Sequence, residues 1–358
     1  MKFKKSALLF LLTAIALIFA ASCNSKGSSS GKSSESTQLI GAGSTFVYPI
    51  MTRWIAGFQQ THTGTQINYQ SIGSGGGIQQ LKKGLVDFGA SDAALDDQQL
   101  QQMPPLVQIP ESAGPVCITY NLPQLKEPLK LSSGTLAGIY LGTITSWQDA
   151  AIKKDNPGVS FPNVPIVVAH RSDGSGTTNI FTTYLSTVSP AWASKSGKGI
   201  SVKWPVGLGG KGSEGVTGVV KQTPGGIGYV ELNYAEENKL PVASIRNAAG
   251  NWVAPSSSSA TAAIEAFSDA LAKDVRTPIV EPPTSAPKAY PITGLTFLLV
   301  PKNGSNQQKR TELRDFIQYV LTTGQDSADA LHYSKLPASL QQQDQALLNE
   351  VQTGATTK

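Results

Sequence analysis

Three times in this chain a strand-like run breaks into a turn of Gly, Ser and Thr and resumes at helical spacing. Leu39-Ile40 leads into Gly41-Ala42-Gly43-Ser44-Thr45-Phe46, after which Val47, Ile50, Met51, Trp54 and Phe58 recur on one helical face. Gln66 to Gln70 reads as a strand running into Ser71-Ile72-Gly73-Ser74-Gly75-Gly76-Gly77 and a short helix from Ile78 to about Lys83. Pro165 to Ala169 is apolar and strand-like, followed by Arg171-Ser172-Asp173-Gly174-Ser175-Gly176-Thr177 and a helix over Asn179 to Leu185. Repetition of this unit restricts the chain to an α/β architecture. Its helix starts then gather in the crevice where open α/β sheets bind ligands.

The turns share a chemistry. Backbone N–H groups at a helix start are free to bind an anion, and glycine lets the backbone approach a ligand closely. Arg171 adds a forked, permanently charged donor whose orientation Asp173 can lock, while Ser175 and Thr177 point hydroxyls the same way. Thr45 with the Phe46 N–H, and Ser74, hold the corresponding places in the other two turns. Any one such turn also works as a plain helix cap, but their recurrence favours capture of one oxyanion. Val86-Asp87-Phe88-Gly89-Ala90-Ser91-Asp92 reads as a strand ending in Ser-Asp before a helical pattern over Ala93 to Gln102. Asp92 or Ser91 either caps that helix or Asp92 faces the anion. A carboxylate facing an anion is tolerable where the anion donates a proton, which admits phosphate at neutral pH and rejects sulfate.

These turns, together with Ile139-Tyr140-Leu141-Gly142-Thr143-Ile144 and Trp147, Gly207-Leu208-Gly209-Gly210-Lys211-Gly212, Gly225-Gly226-Ile227-Gly228-Tyr229-Val230-Glu231 and Tyr290-Pro291-Ile292-Thr293, are similar in order to the phosphate-specific substrate-binding proteins of bacterial ABC importers, the PstS family. The likeness covers about Leu39 to Val320. It implies an α/β, two-lobed periplasmic-binding-protein fold of type II, each lobe a mixed sheet flanked by helices, with the ligand in the interlobe cleft. It implies a receptor, not an enzyme, that holds phosphate without metal or cofactor and delivers it to the permease subunits of an ABC importer. Carried over by position, the phosphate ligands are the Thr45 hydroxyl and N–H, the Phe46 N–H, Ser74, Asp92, Arg171, Ser175, and the Gly176 and Thr177 N–H groups, with Asp173 orienting Arg171. Ser44 stands where Ala is common and Gly75 where a second Ser is common; neither changes a transferred ligand, and Ser44 can add a hydrogen bond. The alternatives are a receptor for another oxyanion, sulfate or arsenate, and a phosphatase using Ser175 and Thr45, for which Asp92 is the sole candidate base.

At 358 residues the chain accommodates two lobes of ordinary size. A net charge of +5 and a pI near 9.0 raise nucleic acid or a membrane surface as partners. The lysines are scattered and none falls in the four site loops, so no nucleic-acid partner is expected; the protein is expected to be a monomer. Lys2, Lys4 and Lys5 precede an apolar run from Ala7 to Ala21 that is short for a spanning helix, which makes residues 1–22 a signal peptide. Ala20-Ala21-Ser22-Cys23 resembles a bacterial lipoprotein cleavage box, implying acylation of Cys23 and a lipid anchor at the cell envelope, on the periplasmic or extracytoplasmic side; ordinary cleavage after Ser22 is the alternative. Residues 23–37 are Ser/Gly-rich and read as a flexible tether. The only other cysteine, Cys117, lies in an apolar strand pattern and reads as a small buried hydrophobe.

Proline clusters divide the rest. Residues 38–112 and 288–358 are expected to form lobe I and residues 113–287 lobe II, with a new strand from Gly114 to Asn121, a helix over Ala260 to Ala272, a strand over Thr296 to Val300 and a helix over Thr311 to Leu321. Gly207 to Gly212 satisfies G-x-G-x-x-G, but Trp204 and Pro205 argue against a strand-to-helix entry and hence against a dinucleotide site. No G-x-S-x-G surrounds Ser175, His62, His170 and His332 are isolated, and no metal-ligand cluster is present in the sequence.

Overall fold

The computed structural model describes residues 36–353; the signal peptide, the Cys23 box and the tether up to residue 35 lie outside them. Each Gly/Ser/Thr turn does join a strand to a helix: β1 (Thr37–Gly43) to α1 (Tyr48–Thr61), β2 (Thr65–Ser71) to α2 (Ser74–Lys82), and, further on, β6 to α6. Between them come β3 (Phe88–Ser91), α3 (Asp97–Leu100), β4 (Leu106–Tyr120), β5 (Lys130–Leu131), α4 (Ser133–Leu141), α5 (Ala150–Asp155) and β6 itself (Val167–Arg171). The chain continues through α6 (Gly176–Val188), α7 (Pro190–Lys195), β7 (Leu208–Gly210), α8 (Gly212–Gln222), β8 (Gly226–Glu231) and α9 (Leu232–Glu237). It closes with β9 (Ser244–Arg246), β10 (Trp252–Val253), α10 (Ser257–Ala266), α11 (Ser268–Lys273), β11 (Thr293–Pro301), α12 (Gln307–Leu321) and α13 (Ala338–Asn349).

Eight strands form one mixed sheet in the order β2-β1-β3-β11-β4-β8-β6-β7, and β10-β9-β5 form a small second sheet. Within the large sheet β1 runs parallel to β2 and β3, and β6 parallel to β8 and β7, while β11 and β4 supply the antiparallel joins. Parallel pairing brings together the C-terminal ends of β2, β1 and β3, and separately those of β6 and β7, and with them the helix starts that follow β1, β2, β6 and β7.

One strand serves both groups. The sequence pattern predicts a new strand from Gly114, whereas β4 runs unbroken from Leu106 to Tyr120, pairing with β11 as far as Pro115 and with β8 from Val116 onward. Pro110 and Pro115 lack an N–H, and the ladder accommodates them: Pro110 lies at a register shift opposite Thr296/Phe297, and Pro115 at the change of partner. The burial of nearly every β4 residue explains why no alternation marked it as one strand.

The core follows the helical periodicities. α1 buries Ile50, Met51, Trp54 and Phe58 against β3 and α12, where Phe88, Phe316 and Ile317 are fully buried, and the Trp54 indole donates to Gly324 O at 2.9 Å. Across the sheet, Tyr140, Phe181 and Tyr229 pack together, with 4.7 Å and 4.5 Å between ring centroids. The helix expected over Ala260 to Ala272 is broken at Phe267 into α10 and α11, which pack Ile264 and Leu271 with Leu295, Phe297 and Leu299 of β11. Cys117 is buried, as expected, its thiol directed at Val230 O.

Candidate anion-binding site

The helix starts after β1, β2, β6 and β7 meet, together with the bend after β3. Thr45, in the turn before α1, shares a 2.8 Å hydrogen bond with the Ser213 hydroxyl in the first turn of α8 and accepts the Ser213 N–H at 3.3 Å. Ser74 opens α2, and its Oγ accepts the N–H of Asp92 at 3.3 Å and of Gly176, the first residue of α6, at 3.1 Å. Arg171 ends β6 and is 4% exposed. Its Nε and Nη2 donate to the two Asp173 oxygens at 2.8 and 2.6 Å, while Nη1 reaches the hydroxyls of Ser213 at 3.3 Å and Thr177 at 3.4 Å. Thr177 Oγ1 lies 3.4 Å from Asp92 Oδ2, and Asp92 Oδ1 accepts the Ser44 hydroxyl. A continuous polar path therefore runs from Thr45 through Ser213, Arg171 and Thr177 to Asp92 and Ser44.

Local sequence explains the placements. α2 begins at Ser74 rather than Ile78, because Gly73 turns the chain at φ 81°. A Cβ at Gly73 would collide with Asp173 Oδ2, and Gly75 N–H donates to Gly174 O at 2.9 Å, so the second turn rests directly on the Arg171 loop. Strand alternation sends His170 away from Arg171, to stack on Trp204 with 4.9 Å between ring centroids. Asp92 is not a helix cap: the helical stretch is only α3, and Asp96 caps it by accepting the Gln99 N–H at 2.8 Å while Gln99 reaches back to Asp96 N. Ser91 folds onto Ala93, accepting its N–H and donating to its carbonyl. The residues that led into a helix by sequence are thus a buried bend that leaves the Asp92 carboxylate on the polar path.

Two of the expected residues stand beside that path. Phe46 gives its N–H to Ser44 Oγ at 2.9 Å, and Ser175 Oγ caps α6 by accepting the Thr178 N–H at 3.1 Å. Three residues of the assembly have no ligand role in the sequence reading. Ser44 stands there only as an added bond, Ser213 follows the Gly207–Gly212 run, and Glu231 closes the Gly225–Glu231 run and accepts from Thr177 at 2.7 Å. The strand-to-helix entry denied at Gly207–Gly212 does exist, as β7 feeding α8; the strand is three residues long, too short for a periodic signal.

The electrostatics are acceptor-rich for an anion site. Burial pushes the Asp92 carboxyl up to about 7, the Ser44 bond opposing that rise, Glu231 adding to it, and Arg171 and Thr177 opposing it. Burial also disfavours charge on Asp173, but the Arg171 guanidinium outweighs it and holds the carboxyl below its usual range. Asp173 in turn keeps Arg171 charged despite burial. With the guanidinium half committed to Asp173, neutral hydroxyls and helix-start N–H groups supply the remaining donors. Such a set suits a small tetrahedral oxyanion that brings at least one proton for Asp92 to accept.

A family model described as the PBP superfamily domain matches residues 28–323. The phosphate-binding protein PstS of Xylella fastidiosa is 44% identical over 325 residues, spanning 90% of this chain and 88% of that protein. PstS of Haemophilus influenzae is 42% identical over 307 residues, spanning 86% and 91%. Among solved structures, a high-affinity periplasmic phosphate-binding protein bound with phosphate superposes with a TM-score of 0.68 at 22% identity, covering 87% of this chain and 93% of that one. A phosphate-binding protein from Stenotrophomonas maltophilia does so with a TM-score of 0.64 at 19% identity, covering 87% and 93%. These two structural likenesses establish the fold.

Proposed function

The chain belongs to the PstS family of phosphate-binding proteins, within the PBP superfamily, and we propose that it binds inorganic phosphate outside the cytoplasmic membrane and delivers it to the permease subunits of an ABC-type phosphate importer. The observation that carries this reading is the placing of a buried carboxylate, Asp92, among helix-start donors and one Arg171 guanidinium. Thr45, Phe46, Ser74, Asp92, Arg171, Ser175, Gly176 and Thr177 are the proposed phosphate ligands, with Asp173 holding Arg171. Calorimetric titration at neutral pH with phosphate, arsenate and sulfate tests it. Saturable phosphate binding, partial competition by arsenate and weak competition by sulfate are expected; equal competition by sulfate would remove phosphate selectivity.

The protein is a receptor rather than a phosphatase. Its PstS relatives are phosphate-binding proteins, and the two hydroxyls a phosphatase would use are engaged structurally: Ser175 Oγ accepts the Thr178 N–H at 3.1 Å and Thr45 Oγ1 pairs with the Ser213 hydroxyl at 2.8 Å.

Two finer parts of the reading have their own tests. Residues 38–112 with 288–358, and residues 113–287, act as two lobes closing on the anion, supported by the separate parallel strand groups joined through β4. Small-angle scattering should show a smaller radius of gyration with phosphate than without. Cys23 is acylated after removal of residues 1–22 and holds the protein to a membrane, supported by Ala20-Ala21-Ser22-Cys23. Cys23→Ala should move the protein from the membrane to the soluble fraction.

A further inference from the structure

Glu231 is a buried carboxylate that the phosphate reading does not use. It ends β8, is 2% exposed, and its Oε1 accepts the Thr177 hydroxyl at 2.7 Å, while Oε2 has no hydrogen-bond partner among the described residues. Thr177 Oγ1 also lies 3.4 Å from Asp92 Oδ2 and accepts Arg171 Nη1 at 3.4 Å. A hydroxyl has one proton and two lone pairs, and the 2.7 Å contact claims the proton.

We propose that Glu231 is a positioning residue for anion selection: by holding the Thr177 proton, it turns a Thr177 lone pair toward the bound anion and makes that oxygen a second acceptor beside Asp92. Both oxygens are satisfied only by an anion with two protons of its own: dihydrogen phosphate or arsenate fills both, the monohydrogen form fills one, and sulfate meets two unpaired acceptors. This rests on the phosphate reading above and extends it to a residue 54 positions from Thr177.

The surroundings agree. The groups facing Glu231 are Arg171 of β6, Thr177 of α6, Ser213 of α8, Asp92 after β3, Cys117 of β4, Tyr234 of α9 and Tyr333 before α13. Arg171 is the one cation among them, and Asp173 already holds two of its nitrogens. Burial raises the Glu231 carboxyl, whereas Arg171 and the Thr177 and Ser213 hydroxyls favour its charged form. Glu231 therefore adds negative potential as well as an ordered hydroxyl, and both weigh against a fully deprotonated dianion.

Glu231→Gln tests the assignment, because its amide N–H can donate to Thr177 Oγ1 and release the threonine proton toward the anion. Phosphate and sulfate affinities are measured by calorimetry between about pH 6 and about pH 8.5, with circular dichroism to establish folding. The phosphate-to-sulfate affinity ratio is expected to fall about tenfold or more, as for loss of one specific hydrogen bond, and its pH profile to flatten. Thr177→Val, which removes the hydroxyl itself, should lower the ratio similarly, and Glu231→Gln in that background should lower it no further. An unchanged ratio in folded Glu231→Gln overturns the proposal, as does a further fall in the double variant, which would mean that Glu231 acts without Thr177. Where Glu231→Gln does not fold, an unchanged ratio in Thr177→Val overturns it instead. Failure of the unmodified protein to bind phosphate would sink the receptor reading; binding by the unmodified protein with an unaltered ratio in the variants sinks this inference alone.

Discussion

Gly176 donates its backbone N–H to the Ser74 hydroxyl at 3.1 Å, tying the start of α6 to the start of α2 across 102 positions of sequence. A Cβ at Gly176 would lie 2.6 Å from Asp92 Cβ, Asp92 N and Ser74 Oγ alike. Overpacking of this kind costs about 1–3 kcal/mol, so Gly176→Ala should weaken phosphate binding by roughly 10- to 100-fold. Calorimetry on a variant with unaltered circular dichroism checks it. Unchanged affinity would mean that the two helix starts need not touch for binding.

Arg171 is matched to Asp173 by its fork, two nitrogens against two oxygens. Lysine at this position offers a single point charge and cannot span Asp173, Ser213 and Thr177 together. Arg171→Lys should cost about 2 kcal/mol, the value of a lost charged hydrogen bond, or roughly 30-fold in phosphate affinity. Asp173→Asn should show a smaller loss in the same titration, since it frees the fork without removing it.

Selectivity should depend on pH through Asp92, whose carboxyl burial raises to about 7. Above that value it is a charged acceptor that sulfate cannot satisfy. Below it the group carries its own proton and can donate to sulfate instead. Sulfate competition against phosphate should therefore grow as pH falls from about 8 to about 6. Asp92→Asn, which is a donor at every pH, should show strong sulfate competition throughout; a profile equal to that of the unmodified protein would remove Asp92 from the selectivity account.

Ser44 moves the same titration. Its hydroxyl donates to Asp92 Oδ1 and favours the charged form, while its oxygen takes the Phe46 N–H. Ser44→Ala should raise the Asp92 carboxyl further, shifting the onset of sulfate competition upward by roughly half to one pH unit. It also frees the Phe46 N–H for the anion, so phosphate affinity above about pH 8 should hold or improve.

Asp344 presents a stability test outside the site. Buried on α13 with neither oxygen hydrogen-bonded among the described residues, its carboxyl is pushed by burial up to about 8. The folded protein keeps this proton to about pH 8, whereas the unfolded chain releases it near the ordinary carboxyl value of about 4. Unfolding thus releases a proton in that window, and stability falls as pH rises through it. Asp344→Asn should be more stable than the unmodified protein by about 1–3 kcal/mol near pH 7.5, and the two should converge toward pH 4. Urea unfolding at the two pH values measures the gap.

The elements of the site were legible where the signal is local. A strand, a Gly/Ser/Thr turn and an amphipathic helix lie within twenty or so positions, and periodicity reports them, as at β1–α1 and β6–α6. Capping was less legible. Asp92 and Asp96 are equally good caps by composition, and only the reciprocal bond with Gln99 selects Asp96.

By itself the sequence determined the α/β class, the repeated helix-start chemistry, the Arg171–Asp173 pair two positions apart and, through its ordered motifs, the family. Tertiary structure decided which of those groups touch. Ser213 bonds Thr45 from 168 positions away, and Glu231 bonds Thr177 from 54. Neither partner carries a local mark, because a serine after glycine or a glutamate at a strand end is equally at home in solvent. Their meaning comes from burial, which removes water as an alternative partner and makes each remaining hydrogen bond decisive. Burial is a property of the packed sheet, with β4 threading both strand groups, and no window of sequence contains it.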